Sequence, residues 1–400
     1  MFSIHFFNTP LLFDIVILFL AVQYFKKGMD ILDIWLLFTI LIIILTSLPN
    51  TPLLLFRNGL EAEILPMFAY FIGKNDKYNN DELLRKGKVV LCIVGFIGLF
   101  LFVLQPGWYV SFRLASTEGD LNSHKFLEMT RLSAFWEFPY WISYGTAIIY
   151  TYILKNALGN KGCPNTKEIL LLFYFFMIAL LTQQRAAIGM IIMSTVLLLW
   201  FYGKINLGRI ILSCIFIVLL LLIIKEILDK ILSLEQLDFL LSKFTDLQGD
   251  DNTSFLQKRA NLFSDFIDKP ISLFGDGLGI YGHAALRFGK DAITDQGYLK
   301  ILYETGVFGF FSRLFFILII FLRGIRKRNK YIFESLIIFF IMIAMLGANP
   351  LSNFQMHNIV FWLCCGNICS DLKKRKLKTV KYEQKNNCDT SASVLPLSRK

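Results

Sequence analysis

Apolar runs close to twenty residues long recur along this chain, separated by short polar loops. No other feature constrains the fold so strongly. A run of that length crosses the lipid core as a helix, and one soluble domain cannot bury so many of them. Eleven spans are read, at 11–25, 31–49, 53–73, 88–105, 134–154, 168–183, 186–202, 208–228, 298–322, 331–348 and 351–369. The third is the most interrupted, by Arg57, Glu61, Glu63 and Pro66. Of 400 residues 55% are apolar and only 18% charged, against about 25% charged in soluble domains. The expected fold is an all-α polytopic membrane protein.

A formal charge of +11 invites a nucleic-acid reading, but the cations lie in short loops and in the tail from Lys373 onward. That is how membrane proteins come to be basic. The N-terminus "MFSIHFFNTP" has no basic n-region, so it does not read as a cleaved signal. No CxxC pair occurs, and the cysteines read as small buried apolar residues.

Lysine and arginine set the expected orientation. The loops 26–30, 74–88, 155–167, 203–209 and 323–330 are rich in them, and eleven spans place all five on one side, the cytoplasmic one. The N-terminus then lies outside. The organisation expected is spans one to eight over 1–228, an extracytoplasmic loop or cap over 229–297, spans nine to eleven over 298–369, and a basic cytoplasmic tail over 370–400.

Ionisable residues at the outer face are the candidate chemistry. Arg185, in "LTQQRAAIGM", sits at a helix–helix turn: it either snorkels to headgroups or clamps a phosphate with its guanidinium fork. Residues 254–268 read as an amphipathic helix carrying Lys258 and Arg259 and stopped by Pro270. Gly275, Gly277, Gly279 and Gly282 follow. Gly277–Gly282 matches G-x-G-x-x-G in form, but no strand–helix context surrounds it, so a dinucleotide fold is excluded. The loop is either a simple turn or one whose amides approach an anion. His283 is either a solvated loop histidine or an acid/base. In "TDQGYLKILYETGVFGFF", a helix starting near Gln296 carries Gln296, Lys300 and Glu304 on one face, with Asp295 just before it. Such a stripe faces water or protein rather than lipid, or forms an interfacial Lys300–Glu304 pair. Arg313, deeper in the span, needs a partner; Glu137, Glu61 and Glu63 are the candidates. Asn349, Asn353 and His357 either line the same cavity or make packing hydrogen bonds between helices.

Taken together, these motifs resemble the Wzy-type O-antigen and capsular polysaccharide polymerases and, more distantly, the O-antigen ligases. Arg185 in its turn is one landmark. The other is Arg259, Pro270, Gly275 and Gly277, Asp295-Gln296, Tyr298-Leu299, Glu304 and Gly306/Gly309. Ligases often carry His-Asn where this chain has Asp295-Gln296. The resemblance implies a GT-C-like arrangement, with the large outer loop between the eighth and ninth spans, in the bacterial inner membrane. It implies a metal-independent glycosyltransferase, without cofactor, that joins undecaprenyl-pyrophosphate-linked oligosaccharide repeats. Arg185 and Arg259 would hold pyrophosphate, with Gly275, Gly277 and Tyr298 beside it. Asp295, His283 or Glu304 would serve as base. The expected partners are the lipid-linked oligosaccharides, the membrane and a chain-length regulator, with no nucleic acid. A ligase acting on lipid A core and a flippase of lipid-linked sugar are the alternative functions.

Overall fold

The computed structural model describes residues 29–75, 80–104, 106–109, 140–182, 184–203, 270–282, 296–351 and 357–370, with a few isolated positions elsewhere. The described residues are almost entirely helical; a two-residue antiparallel ladder pairs β1 (Lys125–Phe126) with β2 (Met129–Thr130). Helices lie where spans were read, except that most of 11–25 and all of 208–228 fall outside the described residues. The amphipathic segment 254–268, most of the loop 229–297 and the tail beyond 370 also lie outside them. Among the described residues two helices are long and apolar enough to cross a membrane, Asp81–Leu104 and Gly297–Arg326. The chain divides into two compact units, Met1–Thr9 with Leu83–Gly275 and Pro10–Glu82 with Asp276–Lys400.

The second unit holds the interrupted helices. Helix α1 (Ile31–Ser47) opens on a reciprocal cap: the Asp30 carboxylate accepts from the Leu32 and Asp33 amides, and Asp33 accepts from the Asp30 amide. This is the capping-box arrangement that satisfies orphan amides. One face of α1 buries Leu32, Leu36, Ile40 and Ile43, while Ile31, Ile34, Phe38, Leu41 and Leu45 stay exposed. An exposed apolar stripe at helical spacing is a surface that water penalises and lipid accepts.

The third predicted span is helical but broken. Helix α2 (Leu53–Gly59) runs into a π turn (Leu60–Ile64), a 3-10 turn (Leu65–Phe68) and helix α3 (Ala69–Gly73). Pro66 is the physical cause. It has no amide to donate four residues back, which leaves the Ala62 carbonyl without a helical donor. The side-chain amide of Asn358 supplies one at 3.1 Å and also donates to the Leu351 carbonyl at 2.9 Å.

Helices α4 (Asn80–Leu104), α5 (Tyr140–Lys161), α6 (Thr166–Thr182) and α7 (Arg185–Phe201) account for most of the described residues of the first unit. Asn165 and Glu168 cap α6 reciprocally at 2.8 and 2.9 Å. The Tyr174 hydroxyl donates to the Cys92 carbonyl at 2.8 Å, in a crossing so close that a Cβ on Gly95 would lie 2.5 Å from Ile178 Cδ1.

In the second unit, α8 (Gly297–Arg326), α9 (Arg328–Ala344) and the helix α10 over 357–370 complete the described structure. Glycines bring α3 and α10 together: a Cβ on Gly366 would lie 2.0 Å from the Tyr70 carbonyl oxygen, and one on Gly73 would lie 2.2 Å from that of Leu363. Helices α1 and α8 are tied by a hydroxyl relay. Thr39 donates to the Trp35 carbonyl, Ser312 lies 2.6 Å from Thr39, and the Trp35 indole N–H donates to Ser312 at 2.8 Å. Ser312→Ala is expected to lower stability by about 0.6–2 kcal/mol, the range of interhelical hydrogen bonds in membranes. Thermal unfolding in detergent reads it, and an unchanged midpoint would show the relay to be idle.

Candidate functional site

The chemistry of α8 begins at its N-cap, Gln296. Lys300 and Glu304 follow one turn apart, as their spacing predicts. Two residues on, Gly306 adopts φ 71° and ψ −178°, a conformation essentially restricted to glycine. The helical ladder stops there, and the carbonyls of the preceding turn lose their donors. The loop 276–282 replaces them: the Asp276 amide donates to the Tyr303 carbonyl at 2.8 Å and the Gly277 amide to the Glu304 carbonyl at 3.1 Å. The Tyr281 amide donates to Glu304 Oε1 at 3.0 Å. The Tyr281 hydroxyl donates to the Asp276 carboxylate. Burial first, and then that hydrogen bond, push the Tyr281 phenol well up, so it stays a donor.

Glu63 comes to this loop–helix junction from the π turn. Its two oxygens divide between two cations: Oε1 accepts from Lys300 Nζ at 2.7 Å and Oε2 from Arg313 Nη1 at 2.8 Å. Lys300 Nζ also lies 3.4 Å from Glu304 Oε2. The four residues are sealed, with exposures of 2% for Glu63, 1% for Lys300, 0% for Glu304 and 6% for Arg313. Burying charges costs several kcal/mol per ion unless each is paired. Here two carboxylates meet two cations, so the centre is neutral when all four are ionised. Irregular backbone and ionisable side chains at one place in an apolar helical core are hallmarks of a functional centre. The chain matches no protein-family model and no curated protein.

The anticipated residues distribute as follows. Glu304 is in the centre, and of the acidic candidates Glu63 meets Arg313; Glu61 pairs with Arg57 at the surface, at 2.8 Å. The Lys300–Glu304 pair is buried in protein, enclosed by Glu63 and the loop. Tyr298 lines a cleft beside the centre, and its hydroxyl donates to the Met342 carbonyl at 2.8 Å. Gly275 and Gly277 have positive φ of 78° and 114°, and the Gly277 amide is taken by the Glu304 carbonyl. Arg185 is the first residue of α7, in the other unit, and is exposed. Asp295, His283, Arg259, Glu137 and Asn353 lie outside the described residues. His357 is buried at the start of α10. Among the described residues no cluster of His, Cys, Asp and Glu is placed to hold a metal.

The reading from sequence missed Asn358, which supports the π turn; Pro66 was the signal, since a proline in a span implies a carbonyl in need of a donor. It counted Lys74 only among the cations of the loop 74–88 and did not anticipate its burial. Lys74 is buried, with its ammonium 2.5 Å from Asp30 and 2.6 Å from Asp33.

Proposed function

We propose that this protein is a membrane glycosyltransferase that joins lipid-linked oligosaccharide repeats at the outer face of the bacterial inner membrane, as a Wzy-type polymerase does. The observation that carries the reading is the sealed centre of Glu63, Lys300, Glu304 and Arg313, held where two helices are interrupted. Intramembrane charges of this kind mark sites where polar substrates are handled. The motif residues Glu304, Gly306 and Gly309 belong to the segment that builds it.

In this reading eleven spans leave the N-terminus and the loop 229–297 outside. The growing chain on undecaprenyl pyrophosphate is the donor. A hydroxyl of the incoming repeat attacks the anomeric carbon, the bond to pyrophosphate breaks, and the hydroxyl proton passes to a base. Arg185 and Arg259 stabilise the leaving pyrophosphate, the type of electrostatic help that is commonly the largest catalytic contribution. Glu304 is enclosed by Tyr281, Lys300 and Glu63, so we assign it to positioning and leave the base to Asp295 or His283. A chain-length regulator is the proposed protein partner.

The test is purified protein with one lipid-linked repeat and no added metal, scored for a glycan ladder. A ladder is expected, and Asp295→Asn or His283→Gln is expected to slow it by about 10²–10⁴-fold, the usual worth of a general base. The interrupted helices also suit a transporter, since such helices hold substrates in many of them. A deletion strain that strands single repeats on the inner leaflet would select that reading. Long polymer left on undecaprenyl lipid would select the ligase.

A further inference from the structure

Arg313 makes only part of the contacts its guanidinium can make. Nη1 is bound to Glu63, while Nε and Nη2 are buried without a hydrogen-bond partner. Those two nitrogens form the side-on edge of the guanidinium, the fork that matches two oxygens of a carboxylate or phosphate. A buried charged group with open donors is costly, so two such nitrogens on a residue only 6% exposed call for an explanation.

The fork belongs to the wall of a cleft whose other sides include Met67, Phe310, Leu314, Met342 and Trp362. The cavity is about 30 Å³, room for a water or two. Its methionines can re-pack around something larger, being unbranched and adaptable. The lining joins the Arg313 guanidinium and its Glu63 partner to mostly apolar walls, which suits an oxyanion head attached to a hydrocarbon chain better than a sugar hydroxyl.

We propose that the side-on edge of Arg313 binds a phosphate-type oxyanion in this cleft. Glu63 fixes the guanidinium from one side and presents the open edge to the cleft.

The experiment measures equilibrium binding of farnesyl phosphate and of inorganic phosphate to full-length protein in nanodiscs. It uses an Arg185→Ala/Arg259→Ala background, so that the outcome does not depend on the glycosyl-transfer reading. Farnesyl phosphate is expected to bind and farnesol not to compete. Arg313→Lys keeps the charge and the Glu63 pair but removes the fork, and should weaken binding about tenfold or more. Leu314→Trp fills the cleft, leaves all four charged residues in place, and should do the same; it carries the test alone if Arg313→Lys does not fold. Competition by inorganic phosphate at equal strength would identify a free anion as the ligand, and competition by the lipid phosphate alone a lipid headgroup. Absence of binding by both anions, or equal binding in the variants, overturns the proposal.

Discussion

Glu63→Ala is expected to destabilise the protein by about 3–5 kcal/mol, the cost of removing one partner from a buried ion pair. Its carboxylate is shared by Lys300 and Arg313, so a single truncation leaves two buried cations facing Glu304 alone. Two comparisons make the result specific. Glu61→Ala, two residues away, breaks only an i,i+4 pair in which Arg57 is more than half exposed, and should stay within about 0.5 kcal/mol. Glu63→Gln combined with Arg313→Met removes one charge of each sign and leaves Lys300 with Glu304. It should unfold at a higher temperature than Glu63→Gln alone. Thermal unfolding of detergent-purified protein reads all of these. Equal midpoints for Glu63→Ala and Glu61→Ala would remove the four-charge centre from the description.

Gly279→Val should cost about 2–6 kcal/mol, combining about 1–3 for the backbone with about 1–3 for overpacking. Gly279 has φ +80°, and a Cβ there would lie 2.1 Å from the Leu55 carbonyl oxygen and 3.1 Å from the Gly59 amide. Both obstacles are backbone and cannot rotate away. The loop lies on α2 through this contact, and its amides complete the break in α8, so the loss should reach Glu304. Gly189→Ala is the control: it sits in α7 with nothing within 4 Å of the added carbon. There alanine should be neutral or stabilising by up to about 1 kcal/mol. A Gly279→Val protein as stable as Gly189→Ala would show that the loop is not packed on α2.

The positions of the helices were legible because hydropathy is local. The helix expected from about Gln296 begins at Gly297, and the turn at Arg185 is a helix start. Pro66 and the acidic residues marked one of the spans that break. The partner of Arg313 was not legible: Glu63 lies 250 residues away in sequence, and the choice among Glu61, Glu63 and Glu137 depends on how helices pack. Asn358 and Ala62, 296 residues apart, pose the same problem. The pairing of Lys74 was hidden for a related reason, since Asp30 and Asp33 lie 44 and 41 residues away in sequence. The motif led to Glu304, Gly275, Gly277 and Tyr298, whose placements are described, and equally to Asp295, His283 and Arg259, which await functional tests.

The interruption at Gly306 also bears on bilayer thickness. An unbroken rod of 30 residues is about 45 Å long at 1.5 Å per residue, roughly half as long again as a hydrocarbon core of about 30 Å. Such a rod tilts steeply or stretches the surrounding lipid. Ending the rod at Gly306 leaves roughly 20 residues on its far side, about 30 Å, a length that matches the core without either adjustment. The break at Gly306 thus divides the helix into a piece of hydrocarbon-core length and a shorter one whose axis need not follow it.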